Sequence, residues 1–236
     1  SGLKHIFQVF VEKNDRVVSV DPTYAMISVY AQMFEAEMLT VGYDKTLALD
    51  EQGLLNGIEG GAKVVLIPNP NQPTGTMIAP ALLETLLELS QTKDFLLVID
   101  EAYIEFSDAQ SLIYRVDKYP NLCVLRTFSK AWGLAGARLG YIVSSAYVLE
   151  QVRKVKPLLD INILSIKAVC FLLDRYHLVQ DYIERVREGR TYLEQELGRL
   201  GIDCISGFAN FVHVRLPEEC SPEDVERRLC NQGFRV

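Results

Sequence analysis

No stretch of the chain approaches the roughly 20 uninterrupted apolar residues that a membrane-spanning helix needs, and the N-terminus carries no secretory signal. Cysteines are few and poorly placed for bridging. The five, Cys123, Cys170, Cys204, Cys220 and Cys230, are odd in number and nowhere spaced C-x-x-C. That disfavours a disulfide framework and a zinc site alike, and points to reduced thiols in the cytoplasm. Histidine is scarcer still: His5, His177 and His213 are too scattered for a metal cluster or a catalytic triad. Positive charge is in the minority, with 24 Lys and Arg against 31 Asp and Glu, and a net charge of -7 would repel a nucleic-acid backbone. No G-x-G-x-x-G opens a helix after a strand, and Gly133 with Gly136 does not make one. Internal repeats and low-complexity tracts are missing too. What remains is a soluble protein whose partners are small molecules or other protein chains.

Against those absences stand 49% apolar residues, enough in 236 positions for one sizeable core. They fall in a repeating rhythm of short apolar run, turn and longer periodic segment. Arg16–Asp21, Lys63–Pro68, Phe95–Asp100, Leu122–Thr127 and Gly140–Ser144 read as strands, rich in Val, Ile and Leu with little alternation, as befits strands covered on both faces. Helical patterns lie between them, over Pro22–Phe34 and from Pro80 onward, where Leu82, Leu83, Leu86, Leu87 and Leu89 form a stripe. Beyond Ala146 two long helices are expected, Ile161–Tyr176 and Leu178–Leu200, the second stopped by Gly201. A strand over Phe211–Leu216 and a helix over Pro222–Cys230 follow. The alternation predicts an α/β fold with a mostly parallel sheet between helical layers, spanning residues 1–200. Residues 201–236 read as the start of a smaller α+β domain.

In such sheets ligands gather beyond the C-terminal ends of the strands. Three consecutive strand ends here carry Asn69–Thr76, then Asp100 to Tyr103, then Thr127 to Lys130 with Arg138 beyond. Taken singly each has an ordinary reading: a turn, a helix cap, a solvated Ser-Lys pair. Together they deliver amide, acid, phenol, hydroxyl, amine and guanidinium to one region. That set suits pyridoxal phosphate, which needs a lysine amine for its aldehyde and an acid against its pyridine nitrogen. Its phosphate needs hydroxyls, backbone N–H groups and an arginine.

The run R-T-F-S-K-A-W-G-L-A-G-A-R-L-G-Y (Arg126–Tyr141), preceded by D-E-A-Y-I-E-F and N-P-N-Q-P-T-G-T, resembles the pyridoxal-phosphate-dependent aminotransferases of fold type I. Within them it is most similar to the histidinol-phosphate aminotransferase group, from about residue 6 to about residue 216. The resemblance implies that Lys130 holds the cofactor covalently and that Arg138, Thr127 and Ser129 hold its phosphate. It implies further that Asp100 meets the pyridine nitrogen, Tyr103 the phenolic oxygen and Tyr24 the ring face. The resemblance implies an asparagine, one methylene shorter, where Gln72 stands, so the contact to the phenolic oxygen falls to Gln72, falls to Asn71, or is lost. The Gln72–Pro73 bond is expected to be cis.

The resemblance also implies a homodimer, small amino and 2-oxo acid substrates, and L-histidinol phosphate with 2-oxoglutarate as the pair. A phosphate-binding turn and a partner-donated tyrosine are expected ahead of Ser1, and substrate-gripping arginines in a completed small domain. Two alternatives stay open: a decarboxylase of a phosphorylated amino acid of the threonine-phosphate type, and a non-catalytic sensor or pseudoenzyme on the same fold. Glu101 is expected to face away from Asp100, and Glu105 lies beyond Tyr103. Trp132 reads as packing under the loop, and Glu184–Arg199 as a solvated helix face.

Overall fold

The computed structural model describes residues 2–158, 161–217 and 219–235. Six strands form one sheet in the order β2-β1-β3-β4-β5-β6: β1 (Arg16–Asp21), β2 (Glu37–Gly42), β3 (Val64–Pro68), β4 (Leu96–Asp100), β5 (Leu122–Thr127) and β6 (Gly140–Ser144). All neighbours pair in parallel except β5 and β6. The sheet is mostly parallel and covered on both sides, an α/β fold of three layers.

Side-chain alternation explains the layers. Along β3 and β4, Val64, Leu66, Leu96 and Val98 point to one face. They meet Leu3, Ile6 and Phe7 of α1 (Gly2–Phe10), Ile27 and Ala31 of α2 (Met26–Met33), and Val148 and Val152 of α5 (Ala146–Val155). The intervening Val65, Ile67, Leu97 and Ile99 point to the other face. There Leu54 and Ile58 of α3 (Glu51–Glu59) and Leu82, Leu86 and Leu87 of α4 (Pro80–Thr92) cover them. Every residue of β3 is buried, which is why the sequence shows no polar alternation there.

The helix expected over Pro22–Phe34 begins only at Met26. Asn71 accounts for the difference: its amide donates to the Pro22 carbonyl and its oxygen accepts from the Thr23 hydroxyl, so residues 22–25 form a turn tied to another loop. Beyond α5 come α6 (Ile163–Leu173) and α7 (Tyr176–Arg199). A separate antiparallel pair follows, β7 (Cys204–Ile205) and β8 (His213–Val214), then α8 (Pro222–Asn231). The strand expected over Phe211–Leu216 shortens to β8, which pairs among the described residues with the two-residue β7. Segment 207–211 rests on the main body. The Phe208 N–H donates to the Gly75 carbonyl at 2.8 Å, and a Cβ on Gly75 or Gly207 would stand 3.2 or 3.1 Å from the other's backbone.

One buried ionic cluster braces the strand ends. The Arg126 guanidinium on β5 donates to Glu101 at 3.2 Å and to Glu105 at 2.7 Å. Glu101, 1% exposed, also accepts from the Leu112 N–H and the Ser111 hydroxyl, while Trp132 donates its indole N–H to Glu105. Glu101 thus faces away from the cavity described below, and Trp132 packs edge-on against Phe128. Burial raises the Glu101 pKa, opposed by the Ser111 and Leu112 hydrogen bonds and by Arg126. Arg126→Met strands two carboxylates without their cation. Stability is expected to drop by about 3–5 kcal/mol at neutral pH. In the variant the Glu101 pKa rises further above its unfolded value, so the native state takes up a proton and the loss shrinks as pH falls. Urea denaturation near neutral pH and again below about pH 5 checks this, and an equal loss at both would contradict it.

Candidate active site

Because β3, β4 and β5 run parallel and side by side, their C-terminal ends open along one edge, with Pro68 opposite Asp100 and Asp100 opposite Leu125. A cavity of about 560 Å³ lies there. Gln72 reaches it from the loop after β3, Asp100 and Tyr103 from the end of β4, and Thr127, Ser129 and Lys130 from the end of β5. Arg138 comes from just ahead of β6, and Tyr24, 41% exposed, from the turn before α2.

Lys130 follows β5 in a turn closed by the Gly133 N–H on the Lys130 carbonyl, and the Ser129 N–H donates to the Thr127 hydroxyl. The Lys130 amine stands 4.7 Å from the centre of the Tyr103 ring, over its face. No hydrogen bond or ion pair among the described residues holds that amine, so it is free to react. Among the described residues the Asp100 carboxylate accepts one hydrogen bond, from the Ala102 N–H at 3.1 Å. Burial pushes its carboxyl up to about 6; the Ala102 bond lowers it, Glu101 raises it and Lys130 lowers it. A carboxyl so poorly solvated gains from a cationic N–H donor, the form of a protonated pyridine. The residues present therefore fit pyridoxal phosphate at this end.

They fit a phosphate at the other end. Thr127 and Ser129 bring hydroxyls and Arg138 a guanidinium. Gly2 of α1 lines the same cavity. Arg138 has φ +53°, a left-handed backbone that costs a non-glycine residue about 1–2 kcal/mol. Strain of that kind collects where function fixes a side chain. The α1 end had escaped sequence reading, although Leu3, Ile6, Phe7 and Phe10 carry the spacing of a helix.

Of the two amides left open in the sequence, only Gln72 lines the cavity. Asn71, 1% exposed, spends its amide on the Pro22 carbonyl and the Thr74 hydroxyl, and its oxygen on Thr23. Its work is to hold two loops together. Tyr103 is buried, edge-on to Phe211, and donates its hydroxyl to Gln72 Oε1 at 2.7 Å. The Gln72–Pro73 bond is cis.

Asp100→Asn removes the poorly solvated charge with little change of shape. The folded pKa lies above the unfolded value, so the native state keeps the extra proton and stability falls as pH rises through about 6. The ligand-free variant is expected to exceed the wild type by about 1–3 kcal/mol near pH 7.5, with the gap closing near pH 4. Denaturant titration of both proteins at the two pH values measures it, and a gap independent of pH would refute the burial argument.

The sequence profile of the family described as aminotransferase class I and II matches residues 1–236. The chain is 35% identical over 196 residues to the histidinol-phosphate aminotransferase of Bacteroides thetaiotaomicron, covering 83% of this chain and 56% of the relative. It is 36% identical over 220 residues to histidinol-phosphate aminotransferase 1 of Carboxydothermus hydrogenoformans, covering 93% and 61%. The chain thus spans less than two thirds of the length of these curated relatives. The crystal structure of histidinol-phosphate aminotransferase from Sinorhizobium meliloti in complex with pyridoxal-5'-phosphate superposes with a TM-score of 0.89, at 27% identity, over 99% of this chain and 65% of that one. The chain belongs to the class I and II aminotransferases, with the fold-type-I architecture and close similarity to the histidinol-phosphate aminotransferase group.

Proposed function

We propose that this chain is the catalytic core of a pyridoxal-phosphate-dependent aminotransferase that takes its amino group from L-histidinol phosphate and passes it to 2-oxoglutarate. The observation that carries the reading is the pairing, in one cavity, of a Lys130 amine over the Tyr103 ring, without a hydrogen bond among the described residues, with an Asp100 carboxyl that burial holds near pKa 6. The names of the two curated relatives support the choice of donor. A homodimer accords with the resemblance and with the apolar surface of α6, where Ile163 and Leu164 are 62% and 70% exposed. Five unpaired cysteines accord with a cytoplasmic setting. Residues 201–236, with their own two-stranded sheet, are read as the opening of a second domain.

When bound, pyridoxal phosphate supplies the electron sink that acidifies the substrate's α-hydrogen and carries the amino group between donor and acceptor. Lys130 would hold it, and its Nζ would move the substrate's α-proton. Asp100 would keep a proton on the ring nitrogen. Arg138, Thr127 and Ser129 would bind the phosphate. Tyr24 would cover the ring and exclude water.

Purified protein given pyridoxal phosphate should develop a visible absorption band that Lys130→Ala lacks. L-Histidinol phosphate should bleach the band, and 2-oxoglutarate should then yield glutamate. Transamination by Lys130→Ala should be down roughly a thousandfold or more. A band of equal strength in the lysine variant, or carbon dioxide released without any keto product, would sink the reading. A band indifferent to histidinol phosphate would keep the aminotransferase and reject this donor.

A further inference from the structure

We infer that Arg187, on α7 and outside the cavity, is a positioning residue for Lys130. Its guanidinium closes the backbone turn that carries both Tyr103 and Glu105, and those two residues hold the Lys130 segment between them. The inference rests on the proposed function for the reaction it serves, and on this chain's own geometry for the clamp.

Directly after Tyr103 the chain makes one tight turn, Ile104–Phe106. Its amides are spent locally: the Ile104 N–H donates to the Glu101 carbonyl, that of Phe106 to Tyr103 and that of Ser107 to Ile104. The next three carbonyls, of Glu105, Phe106 and Ser107, receive no backbone N–H among the described residues. Arg187 brings donors to them. Its Nη2 donates to the Ser107 carbonyl at 2.8 Å and its Nε to the Phe106 carbonyl at 3.3 Å, with the Glu105 carbonyl 3.5 Å from Nη2. A rigid planar fork can serve several carbonyls at once, which a lysine ammonium cannot do in the same geometry. The ion pair with Asp108 adds little, because that carboxylate is 96% exposed.

The cargo of the turn gives the clamp its reach. Tyr103 enters it with the Lys130 amine 4.7 Å over its ring. Glu105, within it, accepts from the Trp132 indole at 3.2 Å and from Arg126 at 2.7 Å. Lys130 therefore has one neighbour under its amine and another two positions along the chain, both referred to the same three residues. The apolar side of α7 packs here too: Val179, Ile183 and Val186 share a cluster with Tyr103, Phe106, Ala131 and Trp132. Apolar contact is non-directional, so it fixes separation but not register, and the fork supplies the register. One turn further along α7, Arg190 donates to the Ala209 carbonyl at 2.8 Å, a bond of the same kind to a different segment. On a helix face whose charge pattern reads as solvated, both arginines are turned to backbone instead.

The test compares Arg187→Met with Arg190→Met in the full chain. Trp132 is the only tryptophan, so intrinsic fluorescence reports on the Lys130 turn without any ligand. Arg187→Met is expected to move its emission to the red and to raise acrylamide quenching about twofold, as local opening increases. Arg190→Met is expected to leave both at the wild-type value. With pyridoxal phosphate and the proposed substrates, Arg187→Met should lower kcat about tenfold while the donor KM changes less than about twofold. Arg187→Lys, with one donor in place of a fork, should fall between. An Arg187→Met emission and quenching equal to wild type, or an Arg190→Met change as large, overturns the inference whatever the activity. If the wild type forms no visible band, the proposed function falls and the fluorescence comparison still decides the clamp. Should far-UV circular dichroism show that the methionine variant does not fold, Arg187→Lys against Arg190→Lys takes its place.

Discussion

The parallel pairing of β3, β4 and β5 is the constraint on which everything else in this molecule depends. Parallel strands must be joined by crossovers, so all three chains leave the sheet at the same edge. Each exit there is a loop rather than a tight hairpin. Three loops of different chemistry are thereby gathered at one place without any of them being near another in sequence. An antiparallel arrangement would have sent Asp100 to one end of the sheet and Lys130 to the other. The one antiparallel partner, β6, turns this rule to use, because running backwards beside β5 it sets Gly140 opposite Thr127 and brings Arg138 to the same edge.

The electrostatics of the site follow from how few partners its members have. Asp100 keeps one backbone hydrogen bond and Lys130 none among the described residues. A few residues away, Glu101 and Glu105 share Arg126 and collect hydroxyl, amide and indole donors as well. Adjacent carboxylates thus fall into two classes, one saturated for structure and one left hungry for a ligand. Stability is given up at Asp100 and held at Glu101. The sequence D-E-A-Y places both acids side by side, and the alternation of an extended chain sends them to opposite sides.

Much of the fold could be read from the residues because buried parallel strands have an unmistakable composition. Arg16–Asp21, Leu122–Thr127 and Gly140–Ser144 emerge with the boundaries expected of them. Of the elements not foreseen, β2 lies at the sheet's edge with Val41 as its one buried residue and so shows little pattern, whereas α1, α3 and α5 each carry an apolar stripe that sequence reading passed over. In the site, the residues named from strand ends line one cavity, Asn71 excepted. What composition could not disclose was which partner each polar group had already taken. Asn71 and Gln72 are neighbours of nearly identical chemistry, and only the positions of Pro22, Thr23 and Tyr103 in space tell the locked amide from the open one.

The contact between Gly75 and Gly207 ties the loop that carries Gln72 to the segment between β7 and β8. Two backbones meet there, and a Cβ on either would stand 3.1 to 3.2 Å from the other, close enough that the neighbour would have to give by a few tenths of an ångström. The two positions, remote in the chain, are therefore inherited as a pair. A larger residue at either needs the other to yield. In descendants of this protein, a change at one of them would mark the moment at which the amide loop and the C-terminal segment stopped moving as one piece.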